Sequence, residues 1–326
     1  MTTTELTKAP INSGAGVRGK ARRASPARLL SRSSRISMWA GLALALAVYL
    51  VFGIGPMIGN IIISFTDYTE LAFAPTHVVG VANYVSMFSS QSTAFYQGIG
   101  ATVVFTVAVT IGQSAFGLLL AHKLVGNSKW AAIGRLLVFV PIALGVTVVG
   151  LVWILIFDPA QGPMKSFFDL FGIHSAFLGA DGWSLGIVIF VQIWQNTGFS
   201  TLVYIGGLRA IDPALYEASA MDGIGGWQRL RRITFPLLAP SVTANVMLAL
   251  VGAFTTYNLI YVLTGGGSSY GTQTLGMLAF NDAFGTNAET NLGFGAAVTV
   301  ALFFMTLIVA TPVLLYLRGR ERRLLR

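Results

Sequence analysis

Six apolar stretches, at roughly 37–65, 96–121, 136–157, 183–208, 236–263 and 292–317, constrain this chain more than any other feature. Each offers about the 20 residues that a helix needs to cross ~30 Å of hydrocarbon. Inside a bilayer, backbone polar groups are satisfied only by helices or closed barrels. The expectation is an all-α polytopic membrane protein with six transmembrane helices over residues 37–317. Composition points the same way: 10% of residues are charged, against about a quarter in a soluble domain. The first stretch is too long for a signal-peptide core and lacks a convincing cleavage site, so it is expected to stay as a helix. Pro56, Pro141, Pro240 and Pro312 fall in or near the stretches, where kinks are tolerated if neighbours satisfy the freed carbonyls.

The placement of charge supplies an orientation. Lys and Arg number eight in 1–36, none in 66–95, three in 122–135, one in 158–182, four in 209–235, none in 264–291 and five in 318–326. Alternate stretches thus hold 20 and 1 of the 21 basic residues, and the positive-inside rule puts both termini in the cytoplasm. Residues 1–36, rich in Ser, Gly and Arg, read as a basic disordered cytoplasmic tail, and 318–326 as a second basic tail. The same arginine-rich, acid-poor composition fits a transit peptide, which nothing else supports. The net charge of +9 is therefore topological anchoring in a lipid bilayer rather than a nucleic-acid footprint.

All twelve acidic residues also lie outside the stretches. A carrier driven by ions or protons usually holds an ionisable group inside the membrane, so energy is expected to arrive from elsewhere. A secondary carrier or channel without an ATPase partner is the alternative. Gly14–Lys20 satisfies most of a Walker A pattern, but Ala21 stands where Ser or Thr should hold magnesium and no strand precedes it, so no nucleotide site is expected in this chain. His77, His122 and His174 fall in three different loops, without the spacing of a metal site. The absence of cysteine removes disulfides and thiolate chemistry. No nucleophile motif occurs, and Asp67 and Glu70 near His77 read as a solvated acidic loop rather than a catalytic pair. No enzyme active site is expected.

The longest polar interruption, Arg209–Pro240, carries its own helix signals. Asp212 can cap, Pro213 suits a first helical position, and Gly223 suits the left-handed residue that ends the helix. Helical spacing puts Ala214, Glu217, Ala218 and Met221 on one face. So short a helix is not stable alone in water and is expected to be pinned against other elements or a partner. The run Glu217-Ala218-Ser219, then Gly223, then Ile233-Thr234-Phe235-Pro236 resembles the EAA signature of the membrane subunits of binding-protein-dependent ABC importers. Ser219 replaces the second alanine of that signature, and Phe235 its leucine. Further motifs are similar to the carbohydrate branch of that family, the maltose-type first permease: Ser64-Phe65-Thr66-Asp67, Gly80 with Asn83-Tyr84, Trp153 with Asp158-Pro159 and Gly162, Leu263–Gly267, and Phe294–Ala297. The similarity covers roughly 37–320. After the glycine run the family usually continues with proline, where this chain has Ser268.

The resemblance implies a type I ABC importer permease fold in a prokaryotic cell membrane. It implies partners: a second homologous permease, two ATPase subunits and an extracellular or periplasmic sugar-binding protein. ATP and Mg would act on the partner ATPase, and this chain would hold no cofactor. Residues 209–235 would be the coupling segment, with Glu217, Ala218, Ser219, Ala220, Met221, Asp222, Gly223, Ile233 and Pro236 meeting or shaping the ATPase contact. Polar side chains within the stretches give candidates for a substrate path, because a membrane-embedded amide needs a partner or a wet cavity. These are Gln192, Trp194 and Asn196 in the fourth stretch, with Asn245, Tyr257 and Asn258 in the fifth. Amides beside aromatic rings suit a sugar, and interhelical hydrogen bonding is the competing account of each. Gly55-x3-Gly59 and Gly182-x3-Gly186 are spaced for close helix packing.

Overall fold

The computed structural model describes residues 32–69, 76–172, 174–179, 182–267, 271–285 and 291–324. The Walker-like Gly14–Lys20, Glu70 and Ser268 lie outside the described residues. Contacts divide the chain into Met1–Pro56 and Met57–Arg326. In the first unit, α1 (Arg32–Tyr49) passes into a π-helical turn over Leu50–Ile54. Its helix begins inside the stretch expected to be tail.

Among its described residues the second unit's regular elements are all helices, joined by turns and loops, apart from one isolated bridge between Thr66 and Val78. It takes in most of α2 (Gly55–Ile63), then α3 (Ala82–Phe88), α4 (Ser92–Leu124), α5 (Lys129–Ala143), α6 (Val146–Ile156) and α7 (Pro163–Asp169). The chain continues through α8 (Trp183–Arg209), α9 (Pro213–Met221), α10 (Gly226–Arg229), α11 (Phe235–Leu237), α12 (Ala239–Thr255), α13 (Asn258–Thr264), α14 (Leu275–Phe284) and α15 (Leu292–Leu324).

Among the described residues, three helical runs are long and apolar enough to cross a membrane: Met38–Ile63, Ser92–Leu124 and Leu292–Leu324. Counting two bent pairs as single spans raises the number to five. The third expected span is the pair α5 and α6, which meet at 97°. Pro141 sits in the last turn of α5 and Leu144 leaves the helix with extended dihedrals, consistent with proline's missing N–H. The fifth is broken twice. Its entry, Gly226–Leu237, meets α12 at 68°, and α12 gives way to α13 at Thr256–Tyr257, where Thr256 is extended. The fourth, α8, has 27 residues and so the length to span, but Gln192, Gln195 and Asn196 at its centre lower its hydropathy.

Close approach of helices comes from glycines other than the two spaced pairs. A Cβ on Gly117 of α4 would collide with Ser200 of α8, and one on Gly198 with the Val138 carbonyl of α5. Nothing lies within 4 Å of a Cβ at Gly59, Gly182 or Gly186. At the Gly117 contact, Gln113 Nε2 donates to Ser200 Oγ at 2.9 Å. The short sequence motifs are largely staples. Asn83 donates to the carbonyls of Ser64 and Thr66 at 2.9 and 2.8 Å, Ser64 and Tyr84 share a 2.7 Å hydroxyl bond, and Gly265, Gly266 and Gly267 all have positive φ.

Candidate coupling segment and polar path

The nine-residue α9 is closed at both ends by its own sequence. The Asp212 carboxylate accepts from the Ala214 N–H at 2.9 Å, and Pro213 fills the first helical position, where no donor is needed. At the other end Gly223 takes φ +70°. Its N–H bonds Ala220 O at 3.1 Å and the Ile224 N–H bonds Ser219 O at 3.0 Å, the paired closure of a Schellman motif. A Cβ at Gly223 would meet no neighbour, so the requirement there is conformational and not steric.

Two side chains hold α9 to the body of the unit. Tyr216 packs against a cluster containing Tyr204, Leu208 and Leu238, and its hydroxyl lies 3.2 Å from Thr234 Oγ1. Ser219 is 3% exposed, with Oγ donating to Tyr216 O at 2.7 Å. The face holding Ala214, Glu217, Ala218 and Met221 is exposed, and Met221 reaches 89%. Ala220 and Asp222 are exposed as well, whereas Ile233 and Pro236 are half-buried. The segment therefore presents the carboxylates of Glu217 and Asp222, small residues and an uncovered methionine outward. Sequence reasoning counted Ser219 among the residues meeting or shaping a partner contact and left Thr234 without a role. Only the packing shows that Ser219, Tyr216 and Thr234 form the underside.

The path candidates separate into three groups. Gln192, Gln195 and Asn196 follow one another on one side of α8, as i, i+3 and i+4 should. Gln192 Nε2 reaches Thr256 Oγ1 at 3.4 Å, which links α8 to the break between α12 and α13. Asn196 Nδ2 donates to Gln192 O at 3.1 Å. Tyr257 and Asn258 sit at that break and are exposed, with the Tyr257 ring stacked on Phe280 at 5.0 Å. Trp194 belongs elsewhere. Two residues from Gln192 is about 200° around a helix, and its ring meets Trp153 edge to face at 5.3 Å. Asn245 is 0% exposed, and its Nδ2 donates to Tyr204 Oη at 3.0 Å and Ser114 Oγ at 3.1 Å. For Asn245 interhelical hydrogen bonding is the account the geometry supports.

On the other loops, Asp67 Oδ1 accepts from the His77 N–H at 2.6 Å, and this bond leads the effects that hold the Asp67 pKa below its ordinary value. Asp282 in α14 behaves differently: Oδ2 is buried without a hydrogen-bond partner among the described residues, and desolvation pushes its pKa up to about 6. No feature of its surrounding sequence marks this carboxyl as shielded from water.

Residues 113–324 match the family described as binding-protein-dependent transport system inner membrane component. The chain belongs to this family. It is 30% identical over 280 residues to the probable ABC transporter permease protein YurN of Bacillus subtilis, covering 84% of this chain and 94% of the relative. It is also 30% identical over 284 residues to the trehalose/maltose transport system permease protein MalF of Thermococcus litoralis, covering 85% and 92%. Among solved structures, a bacterial ABC transporter involved in the import of the acidic polysaccharide alginate superposes with a TM-score of 0.71 at 21% identity, over 89% of this chain and 96% of the other. The fold is thus that of ABC importer permeases, and the family match over 113–324 contains α9, the α8 amides and the break at Thr256–Tyr257.

Proposed function

We propose that this chain passes a carbohydrate, delivered by an extracellular or periplasmic binding protein, across a prokaryotic cell membrane, with α9 receiving the work of a partner ATPase. The observation that carries the reading is α9 itself. A nine-residue helix capped at both ends and anchored through Tyr216 and Ser219 keeps Glu217, Ala218, Ala220 and Met221 uncovered. Such a face is built to be filled by another protein. ATP and Mg act on that partner, two copies of which serve this chain and a second, homologous permease. ATP binding biases the assembly between inward- and outward-facing states. The names of the relatives support a sugar as cargo: one is a trehalose/maltose permease and another a multiple sugar-binding transport system permease of Streptococcus mutans.

In this reading residues 37–317 form the permease domain with six spans, 209–235 the coupling segment, and 1–36 and 318–326 cytoplasmic tails. The 20-to-1 distribution of Lys and Arg supports the orientation. Gln192 and Asn196 with Tyr257 and Asn258 are the substrate-contact candidates, since amides beside an exposed ring at a helix break offer both hydrogen bonds and a stacking face.

Two substitutions test the coupling. Glu217→Lys reverses the one charge on the exposed face, and Gly223→Asp forces a Cβ into φ +70°, at a cost of about 1 kcal/mol or more. Both are expected to abolish substrate-stimulated ATP hydrolysis by the assembled transporter while insertion and expression persist. Normal stimulation in Gly223→Asp would reject the assignment.

A further inference from the structure

A cleft of about 600 Å³ opens where the ends of α4, α8 and α15 meet the coupling segment. Its walls are apolar, with Leu119, Leu208, Trp227 and Phe235 among them. Trp227 is 73% exposed, an unusual state for an indole that could have packed inward. Three cations, Lys123, Arg231 and Arg320, stand in the same cleft beside His122. The guanidinium of Arg320 lies over the Phe235 ring at 5.1 Å, which fixes charge and apolar wall together. None of the three is neutralised: the ion pairs among the described residues are Asp67–His77, Lys165–Asp169 and His174–Asp169. Glu321, next to Arg320, lines an adjoining hollow without pairing with it.

An apolar cleft with uncompensated cations at one end of the helices matches a molecule with an anionic head and a hydrocarbon body. Basic pockets between membrane helices on the cytoplasmic side have this chemistry. We infer that the cleft binds an anionic phospholipid, phosphate against Lys123, Arg231 and Arg320, upper acyl chain against Trp227, Leu119 and Phe235. Because one wall is the segment that follows α9, the bound lipid would brace the coupling segment against α4 and α15. The inference rests on the membrane reading above, though not on which face is cytoplasmic.

The test uses the full chain in symmetric phosphatidylcholine vesicles, which offer lipid to both faces, with brominated lipids that quench tryptophan on contact. The contribution of Trp227 is isolated by difference from Trp227→Phe. Dibromo-phosphatidylglycerol is expected to quench Trp227 at a lower fraction than dibromo-phosphatidylcholine. Lys123→Gln and Arg231→Gln should each weaken that preference about five-fold, while Lys123→Arg and Arg231→Lys, which keep the charge, should retain it. Lys129→Gln, outside the cleft, should leave it unchanged. Equal quenching by the two lipids, or equal loss in Lys129→Gln, would overturn the inference. So would erasure of the preference by inorganic phosphate, which assigns the cations to a free anion. Protection of Trp227 when the ATPase is added would assign the cleft to that partner instead, while leaving the coupling proposal standing.

Discussion

Asp282 puts a carboxyl in α14, between the buried Ala279 and Ala283, and its Oδ2 has no partner among the described residues. Its pKa of about 6 in the folded chain, against an ordinary 3.8, has a definite sign. As pH rises past 4 the unfolded chain ionises first, and the folded chain keeps its proton until about 6. Stability therefore falls across that window and stays reduced above it. Asp282→Asn is expected to raise stability at neutral pH by up to about 2 kcal/mol and to flatten the profile between about pH 4 and 6. Thermal unfolding in detergent at several pH values checks this; an unchanged slope in the variant would contradict it. Sequence placed Asp282 outside the apolar stretches, which is where it lies, but charge placement along a chain does not reveal burial. Ser219 gives the same lesson from the other side. Helical spacing correctly grouped Ala214, Glu217, Ala218 and Met221, yet periodicity alone cannot say which face turns toward the body. The Tyr216–Thr234 contact, 18 residues apart in sequence, decides it.

At the level of elements, the caps of α9 were fully legible, because Asp212, Pro213 and Gly223 act through local backbone chemistry. The helix breaks were less so. Pro141 announces a bend, but its 97° depends on what α5 and α6 pack against, and no proline or glycine marks the break at Thr256–Tyr257. Glycine spacing misled for a related reason. A pair four apart defines a small-residue face, and only a partner backbone makes that face matter. Gly198→Ala and Gly117→Ala should each destabilise by roughly 1–3 kcal/mol, since their added methyls meet Val138 O and Ser200. Gly186→Ala, in the same helix as Gly198 but facing open space, should be neutral or slightly stabilising. Melting temperatures of the three variants in one detergent separate the cases, and a loss at Gly186 equal to that at Gly198 would mean that contact of the added methyl with a neighbouring helix does not set the cost.

For the molecule as a whole, the pair α5 and α6 is where the span count turns. Bent by 97°, it is either one broken span or a re-entrant loop. The two differ in which face carries the residues that follow α6. A broken span places Gln161 opposite Asn127, as the basic count requires; a re-entrant loop returns it to the same face. The chain has no native cysteine, so Asn127→Cys, Gln161→Cys and Gln228→Cys, all at exposed positions, give single labelling sites without further engineering. In right-side-out cells an impermeant maleimide is expected to label position 161 alone, and in inverted vesicles positions 127 and 228. That outcome makes α8 a crossing helix despite its three central amides, because 161 and 228 lie on either side of it. It also implies that those amides are satisfied inside the protein, as the Gln192–Thr256 and Asn196–Gln192 bonds describe. Labelling of 127 and 161 from one face would instead make α5 and α6 re-entrant and reduce the spans below six. The single basic residue between α6 and α8, Lys165, would then be the one whose charge had been misread.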